Sequence, residues 1–319
     1  MLPKIKYVIA LLFCLTVTWG CESHLEKAEK YGKEGKIAEA IKEYELALEG
    51  KGGKEATDIC LRIVDLYLGE DTVKAIYWCQ ETVRHAPRES TPYIRLAEIF
   101  SGKDEVDSAL WYYSKAQGFT SDEAEKEKIS SLIEGLDFRK AKKIGTFQAC
   151  IEFAKKYPHS KYKEQAQELA FHIVKSKPTV EKVKKFLEVF SDSKNVDEVK
   201  KIGKDLEKRR IAEKVNRIHK DTTAGELHPP DGTDENLPGG KVKIDTENDT
   251  QYLLRVYYVG PETLSVFFQP RQTKTIELSG GNYQVAAEVD NPTVNPFKGT
   301  HAYKEGWSYT SRFYITIGY

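Results

Sequence analysis

The chain has 319 residues, enough for two domains, and its 49 Lys plus Arg balance its 49 Asp plus Glu. A net charge of zero argues against a strongly basic nucleic-acid binder and against a highly acidic tail protein. The 31% charged residues suit long amphipathic helices with solvated faces, and the five cysteines (Cys14, Cys21, Cys60, Cys79 and Cys150) show neither CxxC nor metal-ligand spacing.

Residues 1–20 read as an export signal. Lys4 and Lys6 precede an apolar run, Tyr7 to Trp19, of 13 residues. That run is short of the roughly 20 residues needed to span a hydrocarbon core of ~30 Å. It ends Val-Thr-Trp-Gly-Cys, with the small Gly20 directly before Cys21. This resembles the lipobox of bacterial lipoproteins, with Thr18 where Leu is usual. The resemblance implies cleavage before Cys21 and acylation of its thiol and amine, which together suffice for a stable membrane tether. Glu22 in the next position favours the outer membrane, by analogy with the sorting rule of enteric bacteria. The alternative is an ordinary secretory signal with a chance cysteine.

Residues 24–121 carry an internal repeat. Ala40, Ala75 and Ala109 recur at 35 and 34 residues, followed four positions later by Tyr44, Cys79 and Tyr113 and seven later by Ala47, Thr82 and Ala116. Upstream, Ala28, Ile63 and Ala97 match, as do Tyr31, Leu66 and Phe100. Each unit reads as two helices whose small residues permit close approach, and Pro87 stops the second unit. A further helix is expected at 122–143, with Ile129, Leu132, Ile133 and Leu136 at helical spacing.

The pattern resembles the tetratricopeptide repeat. That resemblance implies an α-solenoid with a concave binding face and no particular ligand. Repeat position assigns Leu25, Glu29, Cys60, Val64, Tyr67, Leu68, Ile94 and Glu98 to the concave side. The Lys and Asn of carboxylate-clamp members are replaced by Leu25 and Glu29, so recognition of chaperone tails is not expected. Val64, Tyr67, Leu68, Ile94 and Glu98 form the expected partner-binding set, an apolar groove for an amphipathic helix or an extended segment. A groove filled by the 122–143 helix is the competing reading.

A looser repeat follows with an offset of 33, pairing Phe153 with Phe186, Tyr157 with Phe190, Ser160 with Ser193 and Lys161 with Lys194. A helix ends on an aromatic, and the serine is expected to cap the next helix. Tyr157-Pro-His-Ser-Lys-Tyr162 resembles repeats of outer-membrane assembly lipoproteins. Residues 180–220 hold 13 Lys or Arg against 8 Asp or Glu, read either as a surface for acidic lipid headgroups or a partner, or as a solvated helix face. Residues 221–240 are rich in Pro, Gly and acids and read as a linker.

From 241 to 319 the period changes from 3.6 to 2. Alternating runs occur at 242–246, 252–259, 264–269, 273–278, 283–289 and from 307 onward, with turn residues between them. About seven short strands are expected, forming a small antiparallel Ig-like β-sandwich. Trp307, Tyr309 and Phe313 share one strand face and read as core, whereas an exposed Tyr303 or Tyr314 would offer a sugar-stacking platform.

The domain plan is therefore a signal peptide (1–20), a repeat domain (21–220), a linker (221–240) and a β-sandwich (241–319). No GxSxG, HExxH, P-loop or GxGxxG is present, so no catalytic residue, metal or cofactor is expected. Cys60 and Cys79 read as small buried hydrophobes rather than a disulfide. The expected function is a non-enzymatic envelope lipoprotein that scaffolds other envelope proteins or peptides from the periplasmic side of the outer membrane. The alternative is a cell-wall or glycan-binding protein that uses the β-module.

Overall fold

Small residues at helical spacing dictate the first half of the molecule, because two helices approach closely only where both present them. The computed structural model describes residues 22–315. The chain forms two compact units, one running to Leu169 and the other from Ala170.

The first unit is a stack of helices with a tetratricopeptide-like arrangement. Three pairs come first: α1 (His24–Lys33) with α2 (Ile37–Leu48), α3 (Gly53–Tyr67) with α4 (Thr72–His85), and α5 (Ser90–Gly102) with α6 (Val106–Phe119). Helices α7 (Glu123–Ile144) and α8 (Phe147–Lys156) follow, and α9 (Lys163–Ser176) spans the division between the units. Ala28, Ile63, Ala97, Ala40, Ala75 and Ala109 are all fully buried, as the repeat requires. Tyr44, Cys79 and Tyr113 fill the adjacent space. Cys79 and Thr82 meet the same demand with smaller volume, and the Thr82 hydroxyl satisfies itself on the Trp78 carbonyl at 2.7 Å.

Local chemistry sets the helix ends. Ser23 and Glu26 form a capping box at α1, while Asp71, Asp122 and Thr146 cap α4, α7 and α8 through backbone N–H groups. Gly145 closes α7 with φ 64°, a conformation that suits glycine. Helix α7 does not fill a groove. It continues the stack, with Ile129 and Leu136 packed among Tyr93, Ala97, Ala109 and Tyr113. Ser160 departs from expectation as well. It accepts from the Tyr162 N–H at 2.9 Å, ahead of α9, and donates to Glu134 at 2.5 Å, so it builds the turn instead of capping the helix.

Among its described residues the second unit contains α10 (Val180–Val189), α11 (Val196–Lys220) and nine strands. The strands are β1 (Gly225–Glu226), β2 (Asp231–Asp234), β3 (Lys241–Asn248), β4 (Leu254–Val259), β5 (Thr263–Phe268), β6 (Thr273–Ser279), β7 (Gly281–Val289), β8 (Phe297–Tyr303) and β9 (Trp307–Phe313). They form a five-stranded sheet, β1-β8-β7-β4-β5, and a four-stranded sheet, β2-β9-β3-β6. Most pairs are antiparallel, with β1/β8 and β3/β9 parallel. Inward residues of both sheets, among them Ile244, Val256, Tyr258, Phe268, Leu278, Tyr283 and Tyr309, share one core. Trp307 and Phe313 pack against that core half-buried.

Two readings of the chain's organisation are corrected here. Residues 221–240 are not a bare linker. They contribute β1, which pairs with β8, and β2, which pairs with β9. Gly232 makes the second pairing feasible, since a Cβ there would stand 2.4 Å from the Tyr309 ring. In addition, α11 belongs with the strands. Its Ile211, Val215 and Ile218 bury against Tyr257 and Ala286 on the outward face of the five-stranded sheet. A charged helix carrying three apolar residues at spacings of four and three needs an apolar surface, and the outward face of that sheet supplies it. Lys298 of β8 secures the helix end by donating to the His219 and Asp221 carbonyls at 3.1 and 2.6 Å.

Candidate protein-binding surface

The groove expected on the first helices of the pairs is differently made. Val64 is fully buried, packed with Ala75, Cys79, Leu96 and Ile99, and so is unavailable to a partner. It lies one helical turn from Cys60, which is equally buried instead of facing outward. Tyr67 is half-buried between two clusters, with the Lys74 ammonium 5.3 Å from its ring centroid. Ile94 packs half-buried against the Tyr93–Tyr113 cluster. Leu68, at the C-cap of α3, is 39% exposed, and Glu98 is exposed. The five residues do not make one apolar groove.

A charged ribbon runs there instead. Arg62 reaches Glu29 on α1 at 2.7 Å, Arg95 reaches Asp65 on α3 at 3.1 Å, and Arg95 also holds Glu98 at 3.2 Å. The two inter-pair bridges link residues 33 and 30 apart, so the repeat spacing itself places them. Exposed pairs of this kind contribute roughly 0–1 kcal/mol each. They present alternating charge and no large apolar area.

The exposed apolar anchors stand on the second helices. Tyr77 on α4 is 53% exposed, and Trp111 on α6 is 54% exposed. They are 34 residues apart, the same position in successive repeats. Each is held from behind by a neighbouring ring: Trp78 stands edge-on to Tyr77 at 5.8 Å, and Tyr112 edge-on to Trp111 at 4.8 Å. Tyr112 in turn stacks on Phe100 at 5.3 Å. The exposed Val73 lies one turn before Tyr77, and Lys115, one turn after Trp111, places its ammonium 5.3 Å from that ring. Braced aromatic rings of this kind lose little conformational entropy when covered. Neither Tyr77 nor Trp111 is among the positions expected to bind. Their shared repeat position was the available signal, but periodicity marks equivalent positions without saying which way they face.

The three described thiols are sealed from reaction. Cys60, Cys79 and Cys150 are free and buried. Burial pushes them up to about 11, 12 and 11, so they remain protonated small hydrophobes. Among the described residues no group of three or more His, Cys, Asp or Glu is placed to hold a metal ion. In the second unit Tyr303 is buried, which removes it from any sugar-stacking platform, while Tyr314 is 62% exposed. Cys21, the expected lipidation site, lies outside the described residues. Among those residues no helix is long and apolar enough to cross a membrane.

No protein-family model matches the chain, and no curated protein matches it. Among solved structures, the chain is similar to a crystal structure of MamA protein, at 17% identity over 52% of this chain and 88% of that one, with TM-score 0.34. It is also similar to a putative protein binding protein from Bacteroides ovatus, at 14% identity over 57% and 97% of the two chains, with TM-score 0.28. A third likeness is to yeast Tom70, at 17% identity over 59% of this chain and 49% of that one, with TM-score 0.26. All three superpose below a TM-score of 0.5, so the fold assignment rests on the packing described above.

Proposed function

We propose that this chain is a non-enzymatic protein-interaction scaffold of the bacterial envelope, tethered by lipid on Cys21 and binding partner proteins through its helical repeats. The observation that carries the reading is the recurrence of Tyr77 and Trp111, both about half exposed and braced, at one position of successive second helices. Large aromatics on a rigid face are the residues that most often dominate binding energy in protein interfaces. The charged ribbon of Glu29, Arg62, Asp65, Arg95 and Glu98 would add register and orientation more than affinity.

The test is quantitative capture from envelope extract with the wild-type chain and with Tyr77→Ser and Trp111→Ser, singly and together. Each single change is expected to weaken the specific partners by about 2 kcal/mol, roughly thirtyfold, with the melting temperature unchanged. Retention of every partner by the double variant would overturn the assigned face. Mass spectrometry of the mature N-terminus, with membrane fractionation of Cys21→Ala, tests the tether separately. Glycan binding by the second unit is subordinate, because Tyr303 is buried and Tyr314 alone remains of its expected platform.

A further inference from the structure

We propose that a cleft between α11 and the outward face of the five-stranded sheet binds a phosphate group. The cleft measures about 440 Å³ and lies within the second unit. Helix α11 contributes Arg210, Lys214 and Arg217, and the sheet contributes Arg255, Tyr257 and Glu288.

Part of this charge is already matched. Glu288 takes Lys214, and the Tyr257 hydroxyl donates to Glu288 at 2.5 Å. Burial, with that bond, pushes the Tyr257 hydroxyl up to about 12, so its proton stays in place. Arg210 pairs with Glu207 at 3.7 Å. Among the described residues Arg217 and Arg255 make no ion pair within 4 Å, although Arg255 stands opposite Glu288 on the neighbouring strand and its charge helps to lower that carboxyl's pKa. Arg255 is half-buried and held in place: one N–H donates to the Tyr257 oxygen at 3.3 Å, and its guanidinium lies 4.0 Å from the Phe267 ring centroid. Its remaining N–H groups have no hydrogen-bond acceptor among the described residues.

Arg217 and Arg255 line the same cleft, so an anion bound there would be attracted by both permanent cations. A phosphate monoester carries about −1.5 to −2 charge at neutral pH, with oxygens that match the guanidinium fork. The remaining lining carboxylate, Glu213, is exposed on α11, where solvent and salt screen it. The excess of Lys and Arg over acids in 180–220 adds a favourable field for an anion approaching this helix. The same chemistry would recognise a free phosphate ester or the headgroup of an anionic lipid.

The experiment titrates the full chain in phosphate-free buffer, first with inorganic phosphate by calorimetry. A second arm uses vesicles of equal parts phosphatidylglycerol and phosphatidylcholine by flotation, where the membrane anchor is common to all variants and cancels. Arg217→Gln alters an exposed side chain with no hydrogen-bond or ion-pair partner among the described residues, so it tests the site without burdening the fold. Arg255→Gln is read beside it with near-ultraviolet circular dichroism as a check. Saturable binding in either arm, weakened about tenfold or more by each substitution, is expected, and the responding arm names the source of the phosphate. Arg209→Gln, on the same helix but outside the cleft, should leave binding unchanged. Absence of saturable binding in both arms, or equal weakening by Arg209→Gln, would overturn the proposal.

Discussion

His301 on β8 is shut away from solvent, with Nε2 donating to the Leu227 carbonyl at 3.1 Å and Nδ1 accepting from the Tyr303 hydroxyl at 3.0 Å. Those partners select the neutral ring. Burial holds its pKa below the ordinary value of 6.5, against the smaller opposing pull of the Leu227 carbonyl. The unfolded chain therefore takes up a proton that the folded chain refuses. Stability from this group is intact above about pH 6.5 and falls as pH drops below that value toward the folded one. Urea unfolding at pH 7.5 and 5.5 is expected to show a larger loss for wild type than for His301→Gln, which cannot titrate. The binding surface also turns on single residues. Val64 and Tyr77 are both apolar repeat positions, but one is sealed in a core and the other stands free. Side-chain direction on the helix makes that difference, and composition does not record it.

At the scale of elements, α11 is the case where pattern and placement part. Its 25 residues would extend about 37 Å, and most of its surface is charged. Only Val199, Ile211, Val215 and Ile218 are buried, and the last three meet the sheet. The helix reads from sequence as a solvated face because so few apolar residues hold it. Val215→Asp would bury an unpaired carboxylate against Tyr257 and Ala286. A loss of about 3 kcal/mol or more is expected in chemical unfolding of the second unit, with the helices before Leu169 unaffected. The β-strands show the reverse situation. Strand β3 reads exposed and buried by turns along its length, as its sequence does, so the pleat is legible residue by residue. Strand β8 escaped expectation because Gly299 and His301 occupy the alternate positions between Phe297 and Tyr303, where an apolar series would mark a strand.

At the scale of the molecule, the division falls between Leu169 and Ala170, well before the expected boundary at 220. A fragment of residues 170–319 keeps α11, β1 and β2 with the sheets they complete. A fragment of 241–319 loses all three and exposes Tyr257 and Ala286. The longer fragment is expected to unfold cooperatively with native near-ultraviolet circular dichroism, and the shorter one to aggregate or lack a cooperative transition. Equal cooperativity in both would show that α11 and the paired strands are dispensable.

The sequence by itself determined whatever depends on neighbours a few residues away. The paired helices follow from alanines and aromatics recurring at 34–35 residues, the stop of the second pair from Pro87, and the strands from alternation. Hydrophobic period and capping chemistry are local, so no partner is needed to read them. Only the tertiary structure decided what depends on distant partners: that α11 lies on a sheet, that 221–240 is paired, and that Tyr77 and Trp111 face outward while Val64 faces in. The bond from His219 to the Val285 carbonyl joins residues 66 positions apart, and its energy exists only once both elements have been placed. A charged helix is equally compatible with water and with a sheet until the surface that covers its three apolar residues has been built.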